Sequence, residues 1–275
     1  MKLRKLISGL RTRYFPAKER LVSAKLAGKD LVVIEGSVRP PDYDDAWFFY
    51  LVKESKVFFD IGANIGQTAL LANIAGEPKR IVLVDPNPSA LVYAAKNLLL
   101  NDLAANCSFY TAFVSTTTGE RVKFYTVGVG SSGSQYASHA ETARLVNSFF
   151  YVRTVTLDYL CEFYGLVPDL VKVDVEGAEY QVFKGAEKLA GKRGTRFIVE
   201  MHVTDECSME QNMNNILGWG NEHGFVAYFL VDSSQITSGS QLSHRGRCHI
   251  LVQPSDWEFP QYLIGVKEGT PLPIA

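Results

Sequence analysis

Two groups of residues have the types and spacing to do chemistry. The first is the run Val171-Lys172-Val173-Asp174-Val175-Glu176, in which charged and apolar residues alternate. A period of two puts Lys172, Asp174 and Glu176 on one side of an extended strand and the three valines on the other. A strand buried on both faces of a parallel sheet reads as continuous apolar sequence, so charges here need partners or a task. Farther on, Phe197 to Met201 reads as a second strand, and its end, Glu200-Met201-His202, places Glu200 and His202 on a common side. If the two strands are neighbours, Lys172, Asp174, Glu176, Glu200 and His202 meet at one sheet edge, joined by Glu179 from the following helix. Three chemistries stay open for this cluster. It can be an ion-pair network built on Lys172 and Glu200. It can supply a general base from Asp174, Glu176 or His202, with His202 leading because imidazole titrates near neutrality. Or its carboxylates and imidazole can hold a divalent metal, for which no sequence signature exists.

The second group lies in Val57-Phe58-Phe59-Asp60-Ile61-Gly62-Ala63-Asn64-Ile65-Gly66, an apolar strand running into an acidic residue and a glycine-punctuated turn. Gly62 and Gly66 let a ligand approach bare backbone, and the N–H groups opening the next helix can hold a carboxylate. The dinucleotide fingerprint G-x-G-x-x-G is absent, and the Asp before the turn suits an ammonium group better than a pyrophosphate. A ligand carrying both an ammonium and a carboxylate, such as the methionine end of S-adenosylmethionine, matches both halves of the turn. The next strand ends Val84-Asp85-Pro86-Asn87-Pro88, where an acidic residue accepts hydrogen bonds from ribose hydroxyls in nucleotide-binding α/β folds. The expected cofactor-binding set is Asp60, Gly62, Ala63, Asn64 and Gly66, with Asp85 and Asn87.

The elements that must position these groups alternate along the chain. Short buried strands are expected at Val57–Phe59, Ile81–Val84, Ser108–Val114, Leu170–Val175 and Phe197–Met201, the pattern of a parallel sheet covered by helices. Gln67–Ala75 reads as a helix closed by Gly76, and Ser89–Leu100 as one with Asn87 as N-cap and Pro88 at the first helical position. Ser208 and Gln211 give a capping-box pattern. Val226–Val231 and His249–Val252 read as an antiparallel pair. Between them Ser233–Arg247 is a polar stretch of the length of a lid or binding loop; His244, Arg245 and Arg247 in it either meet an anionic acceptor or are solvated. The stretch from Gly128 to Ser134, with Ser131, Ser132 and Ser134, separates strand-like pieces at Val122–Thr126 and Phe149–Val155 and either contacts a sugar or is a plain surface loop.

Composition excludes several classes. The 275 residues are 47% hydrophobic and 21% charged, with 28 basic and 29 acidic side chains, which is neither a disordered chain nor a strongly basic nucleic-acid coat. No stretch approaches the eighteen or more apolar residues of a membrane span. Nine of the basic residues but only Glu19 of the acidic ones fall in residues 1–29, a +8 head on a −9 body. In that head Leu3, Leu6, Ile7, Leu10 and Tyr14 recur at helical spacing, so a basic amphipathic helix is expected, either packed on its own domain or touching a membrane surface or partner. The expected division is a helical extension over 1–50 and a catalytic domain over 51–275. Cys107, Cys161, Cys207 and Cys248 form no CxxC pair and follow no secretory segment, so a cytoplasmic protein with reduced thiols is expected, Cys207 packing under a helix rather than binding metal.

The residues DIGANIG (60–66), VDPNP (84–88), TLDYL (156–160), VKVDVEGAE (171–179) and VEMH (199–202) together resemble the FkbM family of S-adenosylmethionine-dependent methyltransferases, over about residues 55–230. The resemblance implies a seven-stranded Rossmann-like class I methyltransferase fold with an antiparallel last strand, and methyl transfer to a hydroxyl of a sugar, glycan or polyketide-like small molecule. Asp85 departs from the Glu more usual there. Two other readings stand beside this one: an inactive cofactor- or glycan-binding subunit on the same fold, and an NAD(P)-dependent oxidoreductase, which the missing fingerprint disfavours.

Overall fold

A computed structural model of the chain describes residues 19–39, 45–128, 133–135, 145 and 147–274. The basic segment from Leu3 to Tyr14 lies outside these residues, as do Ser131 and Ser132. The centre is one mixed sheet. Strands β3 (Val57–Ile61), β4 (Arg80–Asp85), β5 (Cys107–Thr111), β9 (Leu170–Val173), β10 (Arg196–His202), β11 (Phe225–Phe229), β12 (Ser234–Ile236) and β13 (Arg247–Pro254) stand in the order β12-β11-β13-β10-β9-β3-β4-β5. From β10 to β5 all neighbours are parallel, and β13 enters antiparallel between β10 and β11. This is the expected Rossmann-like order of seven strands, with β12 as an eighth at the edge.

Period-two alternation sends successive side chains of each strand to opposite layers. Phe59, Val82, Val171, Phe197 and Val199 pack on helices α4 (Leu157–Tyr164), α5 (Glu179–Lys184), α6 (Glu187–Gly191) and α7 (Met209–His223). Phe58, Ile81, Leu83, Ile198 and Leu251 pack on α1 (Asp45–Lys53), α2 (Gln67–Ile74) and α3 (Pro88–Leu99). With both faces covered, β4 reads as nearly unbroken apolar sequence, Ile-Val-Leu-Val. Removing one such fully buried Leu or Phe side chain costs about 2–5 kcal/mol.

Four expectations change. The first concerns the extension: residues Leu21–Leu26 and Lys29–Ile34 form an antiparallel hairpin, β1–β2, not a helix. Two asparagines hold it, Asn97 of α3 accepting from Ile34 N at 2.9 Å and Asn101, just past the end of α3, from Val32 N at 2.9 Å. The boundary at residue 50 falls inside α1, whose Trp47, Phe48 and Leu51 are core residues of the catalytic domain. Second, Ser108–Val114 is two strands, because the chain leaves the main sheet at Ala112 and Phe113–Val114 (β6) joins β7 (Arg121–Tyr125) and β8 (Phe149–Val155) in a separate sheet, ordered β6-β8-β7. Third, the polar stretch after β11 carries β12 and a 3₁₀ turn at Gly239–Leu242, closed by a Ser238–Gln241 capping box. Fourth, β9 stops at Val173, so Asp174 and Glu176 lie beyond the ladder.

All four cysteines are free, with Cys161 and Cys248 buried and Cys107 and Cys207 half-buried. Among the described residues no helix is long and apolar enough to cross a membrane.

Candidate active site

The turn after β3 is tied to the neighbouring strand, with Gly62 N and Ala63 N donating to Val84 O at 2.9 and 3.1 Å. Gly62 has φ +89, and a Cβ there would stand 1.8 Å from the carbonyl oxygen of Asp174, so only glycine fits. Asn64 also takes the left-handed region, at φ 46. Its N–H donates to Asp85 Oδ2 at 2.8 Å, while Asn87 N donates to Asp85 Oδ1 at 2.7 Å. Asp85 is thereby pinned at the end of β4, and each oxygen keeps a lone pair for a ligand. Burial pushes its carboxyl up to about 6, against the two backbone donors.

These residues open onto a cleft of about 580 Å³ at the carboxyl ends of the strands, where ligands of open α/β sheets bind. Of the expected cofactor set, Gly62, Asn64, Asp85 and Asn87 line it. Ala63 and Gly66 do not. Ala63 belongs to the core, and Gly66 serves close packing, since a Cβ there would be 2.7 Å from Ala94 Cβ on α3. Asp60 is displaced as well: its carboxylate is wholly buried behind the cleft wall, with neither oxygen hydrogen-bonded, and burial pushes it up to about 7. The walls also include Phe113, Val114 and Phe124, which sequence reading did not single out. They are the apolar surface a flat ring system requires.

The second cluster assembles as the alternation predicted. Asp60, Lys172 and Ile198 stand in register across β3, β9 and β10, and Glu200 faces His249 on β13. Lys172 Nζ reaches Asp174 Oδ2 at 2.9 Å, not Glu200. Burial works against the ammonium, but Asp174, Asp60 and Glu200 outweigh it and hold Lys172 above its ordinary range. Asp174 is raised by burial, with Lys172 opposing. After Asp174 the backbone bends sharply, Glu176 at φ 54 and Gly177 at φ 101, and this returns Glu176 toward the sheet.

His202 is the centre of the cluster. Its Nδ1 lies 3.0 Å from Glu179 Oε1, and its Nε2 lies 3.4 Å from Glu200 Oε1 and 3.6 Å from Glu176 Oε2. Glu179, with no solvent exposure, also accepts from Gly177 N at 2.9 Å and from Asn212 Nδ2 of α7 at 2.8 Å. Burial disfavours the imidazolium, yet Glu179 and Glu200 outweigh it and push His202 up to about 11. At neutral pH the ring is charged and donates from both nitrogens. Glu200 is held well below the usual carboxylate range, because the hydrogen bonds from His202 and His249 exceed the cost of burial. Arg247 Nη1 adds a contact to Glu200 at 3.1 Å.

All five expected catalytic residues therefore meet, and Asp174 and Glu176 line the cofactor cleft itself. Asp174, Glu200 and His202 present ligand atoms within 4.8 Å of one another, a set suited to a divalent cation by type. A cation there would have to displace the proton of His202 and compete with Lys172 and Arg247. Cys207 takes no part in this set, and Ser134 is committed to Glu176 O at 2.9 Å.

The family model for the methyltransferase FkbM domain matches residues 60–241. No curated protein matches the chain in sequence. Solved structures to which it is similar include a methyltransferase FkbM from Methylobacillus flagellatus KT, 15% identical with a TM-score of 0.44 over 72% of this chain and 43% of that one. Others are an O-methyltransferase from Bacillus cereus in complex with SAH, 14% identical with a TM-score of 0.46 over 79% and 82%, and a precorrin-6y C5,15-methyltransferase from Geobacter metallireducens GS-15, 13% identical with a TM-score of 0.45 over 83% and 94%. The chain spans less than half the length of the Methylobacillus structure.

Proposed function

Since the chain belongs to the methyltransferase FkbM domain family, we propose that it transfers the methyl group of S-adenosylmethionine to a hydroxyl of a small-molecule or glycan acceptor. The observation that carries this reading is one cleft holding two pinned carboxylates: Asp85, fixed by backbone N–H groups, and Asp174, fixed by Lys172. Asp85 would accept from the ribose hydroxyls, Phe113, Val114 and Phe124 would cover the base, and Gly62 would leave room for the chain of the methionine. When bound, the cofactor supplies an electrophilic methyl on a positive sulfur.

What remains for the protein is to place the acceptor oxygen in line and remove its proton. Orientation alone supplies much of the acceleration in such two-partner reactions. An alcohol is a weak nucleophile until its proton leaves, and a positioned base is worth about 10²- to 10⁴-fold. His202, already protonated, is a poor base; its charge is shared by Glu179, Glu200 and Glu176, and the acceptor's proton is left to a carboxylate. Asp174 fits that task, because burial raises its basicity and Lys172 holds only Oδ2.

Calorimetric titration with S-adenosylhomocysteine tests the cofactor half. Asp85→Ala is expected to weaken binding roughly ten- to a hundredfold, the loss of hydrogen bonds to a charged group. Unchanged affinity in a folded Asp85→Ala protein removes the basis of the assignment. For the chemical half, Asp174→Asn is expected to lower turnover with cell-extract acceptors and labelled cofactor; full turnover assigns the base elsewhere.

A further inference from the structure

We propose that a small cavity beside the cluster, between α1 and the start of β13, anchors an anionic group, carboxylate or phosphate, of the hydroxylated acceptor. This inference rests on the methyl-transfer reading for its role but not for its test. Because β13 runs antiparallel to its neighbour β10, its first residues stand at the carboxyl end of the sheet, Arg247 opposite His202 and His249 opposite Glu200. Behind them lies a cavity of about 330 Å³ lined by Trp47, Val231, Arg245, Arg247, His249 and Glu268. Most of that space is its open mouth, and the enclosed part holds about two waters, room for a single acidic group with the rest of the ligand left in the mouth.

The charges in the cavity are unevenly committed. Glu200 is shared by Arg247 at 3.1 Å, His249 at 3.4 Å and His202 at 3.4 Å, so its negative charge is already matched from three sides. Glu268 is exposed at the rim. Arg245 forms no ion pair among the described residues, although Asp232 feels its charge: its guanidinium lies over the Phe229 ring at 5.3 Å, and its Nε is buried without a hydrogen-bond acceptor. A buried donor left in that state is unfavourable, and a planar guanidinium is the side chain that best recognises carboxylate or phosphate. The 3₁₀ turn after β12 sets its position, since Arg245 N donates to Leu242 O at 2.9 Å. Trp47, whose Nε1 donates to Val266 O at 3.0 Å, is a fixed apolar wall for the rest of the ligand. An acid held here adjoins Glu200 and, through it, His202 and the cleft, so the anchored group and the reacting hydroxyl belong to one acceptor.

The full-length protein, saturated with S-adenosylhomocysteine, is titrated with inorganic phosphate, glucuronate and glucose while tryptophan fluorescence is followed, with Trp47→Phe to assign the signal. Glucuronate or phosphate is expected to saturate and glucose is not; which acid binds tells the carboxylate from the phosphate source. Arg245→Gln, checked for unchanged S-adenosylhomocysteine affinity, is expected to weaken the acid at least tenfold. Equal binding of glucose, no saturation by either acid, or acid affinity unaffected by Arg245→Gln overturns the proposal. The titration is repeated without S-adenosylhomocysteine, so failure of that ligand to bind counts against the cofactor reading alone.

Discussion

Glu179 and His202 form a buried pair, Oε1 to Nδ1 at 3.0 Å, in which the carboxylate is also held by Gly177 N and Asn212 Nδ2 and has no oxygen left for solvent. The pair fixes both the orientation and the charge of the ring. A neutral imidazole would point an unshared pair at Glu200 and Glu176, so protonation is the state the surroundings select.

Glu179→Gln is therefore expected to return the pKa of His202 from about 11 toward neutrality, by more than a unit. Carbon-bound ring protons of His202, followed by NMR across pH, report it. A ring that stays charged above pH 9 in the variant would assign its protonation to Glu200 and Glu176 instead. Turnover in the variant should acquire a new pH dependence near neutrality, which a merely structural role for Glu179 does not produce.

Asp60 makes the fold sensitive to pH in a definite direction. Its folded pKa, about 7, lies above the unfolded value near 3.8, so the folded state binds the extra proton between those limits. The contribution of Asp60 is full below pH 3.8 and is lost as pH rises to about 7, several kcal/mol at about 1.4 kcal/mol per unit. Asp60→Asn should flatten this part of the profile in urea unfolding at pH 5 and pH 8. Equal slopes in the two proteins would mean that Lys172 pairs with Asp60 strongly enough to cancel its burial.

Gly62→Ala and Gly66→Ala should separate two uses of glycine in one turn. Alanine at either position meets a positive φ, which costs about 1–2 kcal/mol. At Gly62 the new methyl also displaces the backbone of Asp174 in the cleft wall, whereas at Gly66 it meets only Ala94. Cofactor affinity is expected to fall about tenfold or more in the first variant, and melting temperature but not affinity in the second. Loss of affinity in both would show that the helix start, not the cleft wall, sets the site.

Chelation addresses the carboxylate–histidine set. With Lys172 at 2.9 Å from Asp174 and Arg247 at 3.1 Å from Glu200, the anionic charge is met from within the chain. Turnover is expected to be indifferent to EDTA. Activity lost to EDTA and restored by Mg²⁺ or Mn²⁺ would put a metal in place of the His202 proton and make it the activator of the acceptor oxygen.

The sheet was readable because strands covered on both faces carry continuous apolar residues, and the exceptions to that rule, Lys172, Asp174 and Glu200, marked the site. Asp60 lies deeper than a cofactor-binding role requires. Side chains alternate, so the cleft meets Ile61 and Gly62 while Asp60, paired in register with Lys172, points into the other layer. Asn212 joins the cluster across 33 residues of chain, a contact that no local pattern encodes. The β1–β2 hairpin carries little sequence signal, because Ala27-Gly28, not the usual Asn-Gly, makes its turn, with φ 47 and 81, and its strands are amphipathic only in part. Asn97 and Asn101, which secure it, are 63 and 69 residues from the strand residues they hold, so no local pattern marks them.

The contact between Gly62 Cα and the carbonyl of Asp174 joins the two halves of the cleft with no side chain between them. A ligand that shifts the turn would therefore shift Asp174, and with it the wall that an acceptor must meet. The expected kinetic outcome is an ordered addition, cofactor before acceptor. S-adenosylhomocysteine should then inhibit competitively against S-adenosylmethionine and noncompetitively against the acceptor; competitive patterns against both would mean that the wall is finished before either ligand arrives.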